Sequence, residues 1–330
     1  MPKVSMDRHS DDPEPAMNPS PESIQCTTIS NVIIDDIVLW DGRTYMGTLG
    51  GSGSHAVVGM RTWNDAPLGL VGYLGDDAPE PFVAHLQRLG VSPDGLVHRA
   101  GLSTPRAWQL FEADGKRTEV FRTSLSEFVA SQVRFDELNT KLKQSSGFHV
   151  QWGGSMEETT RLVRQLKMTN PSAVVVFEPI DDFLELDRVA WAPLLRECDV
   201  FLPNLEEAAT LTGEASPADM ATALLDWGAD RVVIRMAEQG IWGQDRQGNR
   251  WQIPAVPTQV VDVTGAGNAF CGGLLAGLVE DLTFLETALR GLVGASFAIE
   301  QVGVPETLIP GSPEAFRRLD WARGQVRNME

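Results

Sequence analysis

Cysteine, tyrosine, positive charge and long apolar runs are all scarce in this chain, and each scarcity excludes something. The 330 residues include 3 cysteines and 2 tyrosines. Cys26, Cys198 and Cys271 lie far apart in apolar surroundings, without the paired spacing of zinc ligands or the density of a disulfide scaffold. Buried thiols in a reducing compartment are therefore expected. Lys and Arg number 27 against 45 Asp and Glu, a formal net charge of -18. No basic stripe interrupts that excess, which argues against DNA or RNA as a partner. No apolar stretch reaches the roughly 18 residues that a membrane span needs, so no membrane partner is expected. The N-terminus also lacks the apolar segment of a signal peptide. There Pro2, Pro13, Pro15, Pro19 and Pro21 stand among acidic residues and serines, a composition that buries too little surface to offset the entropy of ordering. We expect a disordered tail over residues 1–27, one domain over residues 28–330, and a cytoplasmic location.

What the chain does have is alternation. From Thr28 onward, short β-branched or apolar runs alternate with amphipathic stretches, the pattern of an α/β fold with a mainly parallel central sheet flanked by helices. Strands are expected at Ser30–Leu39, Leu68–Gly72, Gly147–Gln151, Ala173–Phe177, Asp199–Leu202 and Arg231–Arg235. Helices are expected at Glu80–Leu89, ended by Gly90, and at Glu157–Met168, followed by Pro171. Segments 38–49 and 103–123 break the rhythm. In the second, Trp108–Phe111 and Thr118–Phe121 flank an Ala-Asp-Gly-Lys turn and read as a β-hairpin. The two segments are expected to make a small β-lid over a cleft, whose exposed apolar strands also suit a homodimer.

The segment Asp262-Val-Thr-Gly-Ala-Gly-Asn-Ala-Phe-Cys-Gly-Gly273 runs into an apolar stretch with Phe270, Leu274 and Leu278 at helical spacing. A glycine-rich loop that opens a helix lets Gly265, Ala266 and Gly267 offer backbone N–H groups and a positive helix end to a phosphate. The alternative is a tight turn, with Gly272 and Gly273 serving helix packing.

This segment resembles the C-terminal signature of the PfkB, or ribokinase-like, carbohydrate kinase family. The resemblance implies a ribokinase-like α/β fold, phosphotransfer from ATP to a hydroxyl of a small polar metabolite, Mg2+ as a cofactor, and room for a monovalent cation. It also implies nucleotide contacts at Asp262 and Thr264. The position after the third motif glycine is normally an aspartate that takes the proton of the substrate hydroxyl, and here it is Asn268. A catalytically inactive ligand-binding or interaction protein on the same fold is the rival reading.

Further matches follow in chain order. Gly50-Gly51 resembles the family's N-terminal glycine pair at the substrate, with His55 where an asparagine is usual. Asp35 falls where the family presents a substrate-binding carboxylate, with Asp36 beside it as the other choice, and Trp108 on the hairpin is the aromatic placed for substrate. Asn204-Leu-Glu-Glu207 matches the Asn-x-x-Glu motif that organises magnesium, with Glu207 as the metal residue; a helix capping box is the alternative for the same pair. Arg235 to Gly240 occupies the family's nucleotide loop, with Arg235 for Thr and Ala237 for Gly. Arg235 reads either as a phosphate ligand or as an ordinary ion-pair residue. Phe177-Glu178-Pro179, Ser296 to Gln301 and Asn268 are similar to a fungal subgroup of the family that includes a yeast maintenance-of-killer protein, which makes Asn268 a natural residue.

Overall fold

Strands buried along nearly their whole length form the centre of the protein, covered on both faces, with the polar Thr28 and His149 paired to each other inside. The computed structural model describes residues 23–113, 116–180 and 183–329. In chain order its first strands are β1 (Cys26–Ile29), β2 (Ile33–Val38), β3 (Thr44–Gly50), β4 (Leu68–Leu74), β5 (Val91–Ser92), β6 (Leu96–His98), β7 (Arg106–Phe111) and β8 (Arg117–Phe121). Then come β9 (Gly147–Val150), β10 (Val174–Phe177), β11 (Val200–Phe201), β12 (Arg231–Arg235), β13 (Ile241–Asp245), β14 (Arg250–Ile253) and β15 (Arg327–Asn328). Among the described residues, 11 strands make one sheet in the order β15-β14-β13-β12-β11-β10-β9-β1-β4-β5, with β6 beside β4. The stretch from β12 to β5 is parallel, and β13, β14 and β15 add antiparallel strands at one edge.

Alternate residues of these strands enter opposite cores. Val176 and Val233 join Met60, Phe270 and Leu274 on one face, whereas Val175, Phe177 and Ile234 join Phe148, Leu166 and Trp191 on the other. The first face is covered by the helices Ser52–Trp63, Ala266–Val279 and Phe284–Ala298. Truncating a fully packed aromatic such as Phe270 in this layer costs about 3–5 kcal/mol. A Cβ on Gly272 would fall 1.9 Å from the Ala56 carbonyl oxygen, so the packing role considered for this glycine is real.

Two expected boundaries change. The fold begins before residue 28, since Ile24 and Cys26 are buried and Cys26 opens β1; residues 1–22 of the expected tail lie outside the described residues. The strand expected over Ser30–Leu39 is β2 alone, and it joins a smaller sheet; the first strand of the main sheet, β1, lies just before it. The hydrophobicity is continuous across the two, but Asn31 turns the chain at the end of β1, accepting from the Ser52 N–H at its side-chain oxygen and from the Gly53 N–H at its carbonyl, each at 3.0 Å. The following β2 opens a separate four-stranded sheet in the order β3-β2-β7-β8. The expected hairpin is there as β7 and β8, with Trp108 opposite Val120; Asp114 and Gly115 of its turn lie outside the described residues.

Candidate active site

The helix Ala266–Val279 begins at Gly265, whose backbone is left-handed (φ 75°), a conformation open to glycine because it has no Cβ. Space makes the same demand. A Cβ on Gly265 would lie 2.0 Å from the His55 ring, and one on Gly267 would lie 2.2 Å from Arg235 Nη1. An imidazole and a guanidinium thus flank the helix N-terminus, where the first N–H groups lack helical partners. Asp262 shapes the loop, its Oδ1 accepting from the Thr264 N–H at 2.8 Å and its Oδ2 from the Gly303 N–H at 3.2 Å.

Thr264 Oγ1, His55 Nε2 and Arg235 Nε are buried around this loop with no hydrogen-bond partner. Each such atom costs about 1–3 kcal/mol. His55 Nδ1 donates to the Gly51 carbonyl at 3.0 Å, which leaves a lone pair on Nε2. Burial lowers the His55 pKa, with the Gly51 carbonyl opposing, so the ring is neutral and Nε2 is an acceptor. A donor hydroxyl, an acceptor imidazole and a guanidinium N–H around one helix end suit a ligand that carries both hydroxyl and anionic groups.

Behind the loop lies a buried network at the ends of β9, β10 and β12. Asn268 Nδ2 donates to Glu178 Oε2 at 2.8 Å, and Arg235 Nη1 donates to Glu178 Oε1 at 2.5 Å. His149 Nε2 meets Glu178 Oε2 at 3.1 Å, while its Nδ1 meets Thr28 Oγ1 at 2.9 Å. Burial alone would raise the Glu178 carboxyl, but Arg235, His149 and Asn268 outweigh it and hold the group at about 2. Ligand atoms of His149, Glu178 and Cys271 lie within 4.8 Å of one another. Burial, reinforced by Glu178, keeps the Cys271 thiol protonated, and Glu178 is already paired, so the trio reads as packing rather than a metal centre. Asn204 and Glu207 form the capping box: the Asn204 N–H donates to Glu207 Oε2 at 2.6 Å and the Glu207 N–H to Asn204 Oδ1 at 2.9 Å. Arg235 Nη2 stands 3.5 Å from the same Glu207 oxygen. Arg235 is thus a buried bridge between two carboxylates, not a surface ion-pair residue.

The second sheet separates Asp35 from Asp36. Asp36 accepts from Arg106 Nε at 2.6 Å and Nη2 at 2.7 Å, from Trp108 Nε1 at 3.2 Å and from the Gly47 N–H at 2.9 Å. Burial raises its carboxyl, but the Arg106 fork and the Gly47 N–H bring it below the usual carboxylate range. Asp35 points the other way, toward Gly50, where a Cβ would fall 1.8 Å from Asp35 Oδ2. It accepts from Gln109 Nε2 at 3.1 Å, and burial pushes its carboxyl up to about 7.

Not every expected residue gathers here. Trp108 shares the face of Asp36 and donates its indole N–H to that carboxylate. Gly240 is set against β14, where a Cβ would fall 1.9 Å from the Ile253 carbonyl oxygen, so packing requires a glycine there. Asp35 belongs to the second sheet rather than to the first strand of the main one. Gly51 caps the helix Ser52–Trp63 in a left-handed conformation (φ 93°) against Asn31. Sequence reasoning passed over Glu178, His149 and Gln109. Glu178 and His149 had one usable signal, a polar residue at the carboxyl end of a parallel strand, where open α/β sheets place their sites.

The doubly covered parallel sheet, the small second sheet and the helix N-terminus between them define a ribokinase-like α/β protein. The chain belongs to the pfkB family of carbohydrate kinases, whose family profile matches residues 32–310. A cytidine kinase of Thermococcus kodakarensis is 27% identical over 286 residues, 85% of this chain and 98% of that protein. An uncharacterized protein of Schizosaccharomyces pombe is 26% identical over 337 residues, 86% of each chain. An Escherichia coli structure named ribokinase II, in complex with ATP and Mg2+, shares the fold with a TM-score of 0.72 at 17% identity, covering 90% of this chain and 99% of that one. Among the described residues, no helix is long and apolar enough to cross a membrane.

Proposed function

We propose that this protein transfers phosphate from ATP to a hydroxyl of a small polar metabolite, a sugar, nucleoside or related alcohol. The observation that carries the reading is the helix start at Gly265, flanked by His55 and Arg235 and ringed by three unpaired buried polar atoms. Phosphoryl transfer rests mainly on positioning and charge stabilisation, which N–H groups and a guanidinium supply. ATP phosphates meet the backbone of Gly265, Ala266 and Gly267, with Arg235 as the fixed positive charge. Magnesium takes one or two carboxylates together with phosphate oxygens; when bound it neutralises charge on the transferring group, and Glu207 is the residue that would hold it through water. The cytidine kinase relative and the ATP- and Mg2+-bound structural neighbour support this assignment.

The second sheet serves as a lid carrying Asp35, with Gly50, Gly51 and His55 below it at the acceptor. Asn268 has no useful basicity, so it orients the hydroxyl while the neutral His55 accepts its proton, and attenuated turnover follows. We read Asn268 as native to a fungal-type branch of the family. Exposed Trp40, Met46, Trp108 and Val120 on the lid side favour pairing with a second copy.

The missing carboxylate favours a second reading, ligand binding without turnover. The test is ADP formation across a panel of sugars, nucleosides and related alcohols, run beside thermal-shift binding of the same compounds. Acceptor-dependent ADP release supports the kinase; stabilisation by an acceptor without ADP release supports the binding protein.

A further inference from the structure

Asn268 has two ends, and only one is accounted for by the protein. Its Nδ2 is held at 2.8 Å by Glu178 Oε2, and no described residue donates to its Oδ1. The orientation is forced, because the reverse would set an amide oxygen against a carboxylate. Glu178 is itself fixed by Arg235 and by His149, which Thr28 holds in turn, and it is buried. We infer that Glu178 is a positioning residue that presents Asn268 Oδ1 to the acceptor hydroxyl, and that the site holds an ionised acid at 178 or at 268, but not at both. This deepens the kinase reading and rests on it for the identity of the hydroxyl.

The consequence is that Asn268→Asp does not simply supply a base. The new carboxyl stands where Asn268 now donates to Glu178, and like charges at that separation do not both ionise. Arg235 already answers two carboxylates, Glu178 and Glu207. The other titratable groups around the position are His149 on β9, which is already paired with Glu178, Cys271 on the same helix, His55 on the facing helix and Asp262 in the loop. Glu178 stays ionised, so the proton remains on the carboxyl at 268 as the donor to Glu178 Oε2.

The sign follows from linkage. A carboxyl whose folded pKa lies above its unfolded value destabilises the fold increasingly as pH rises from the unfolded value toward the folded one. Thermal unfolding of the wild type, Asn268→Asp and the double variant Glu178→Gln with Asn268→Asp, at pH 5 and pH 8, separates the cases. We expect Asn268→Asp to match the wild type more closely at pH 5 and to fall behind further by roughly 2 to 4 °C at pH 8, with the double variant showing no such growth. A single variant that folds only at pH 5, or only when Glu178→Gln accompanies it, is the same result in stronger form. A pH-independent gap, an equal gap in the double variant, or failure of both variants to fold at either pH overturns the inference. None of these readouts needs turnover, so they stand apart from the kinase reading. The activity arm expects no gain from Asn268→Asp alone and a gain of at least about 10-fold in the double variant.

Discussion

The imidazole of His55 lies against Gly265 so closely that a Cβ there would fall 2.0 Å from its Cγ. This places a neutral acceptor nitrogen beside the helix end that is the proposed phosphate site, while Nδ1 is tied to the Gly51 carbonyl. His55→Phe keeps the ring volume and removes Nε2. It should lower acceptor turnover by about 10² to 10⁴, the usual worth of a general base, and leave ATP affinity within a few-fold. Steady-state kinetics with separate ATP titration checks this, and unchanged kcat in the variant would remove His55 from the chemistry.

Asp35 and Asp36 are neighbours with opposite electrostatics. The Asp35 carboxyl is pushed up to about 7 by burial, so the folded protein holds a proton there that the unfolded chain releases near pH 4. Stability therefore declines between about pH 4 and pH 7 through this group, and Asp35→Asn should gain on the wild type across that window, by on the order of 2–4 kcal/mol at its upper end. Asp36→Ala should behave in the opposite way, losing roughly 1–3 kcal/mol at neutral pH because Arg106, Trp108 Nε1 and the Gly47 N–H lose their acceptor. Urea unfolding at pH 5 and pH 8 distinguishes them. An Asp35→Asn protein whose advantage does not grow with pH contradicts the assignment.

Ala237 has a left-handed backbone (φ 49°), where the family's nucleotide loop has glycine. That conformation costs a residue with a Cβ about 1–2 kcal/mol, against the roughly 0.4–1 kcal/mol by which glycine favours the unfolded chain. Ala237→Gly should therefore raise stability slightly, by about 0.5 kcal/mol. Chemical denaturation measures it, and a clear loss would mean that the Ala237 methyl makes a contact worth more than the strain.

The sequence made the large features legible because they are periodic or carried by glycine. Apolar runs at Leu68, Gly147 and Arg231 became inner strands of the main sheet within a few residues of their expected bounds. The loop at Gly265 opens its helix as expected. The run from Ser30 to Leu39 misled because hydrophobicity does not record which sheet a strand joins; Asn31 makes that decision through hydrogen bonds to Ser52 and Gly53. The Glu178 network was illegible for a similar reason. His149, Glu178, Arg235 and Asn268 come from four separated segments, and only the parallel order of β9, β10 and β12 brings them together. The place of Trp108 on the hairpin was legible, but not the step of strand register that puts it beside Asp36.

The central claim, that the helix end at Gly265 to Gly267 is where a nucleotide's phosphates bind, is tested most directly by calorimetric titration of ATP with Mg2+ into the wild type and into Gly267→Val. A β-branched side chain at 267 blocks backbone approach and meets Arg235, whose Nη1 lies 2.2 Å from the Cβ position. The account predicts saturable ATP binding to the wild type and its loss, by at least about 100-fold, in a variant that keeps the wild-type circular dichroism spectrum. A folded Gly267→Val protein that binds ATP as tightly as the wild type would contradict it.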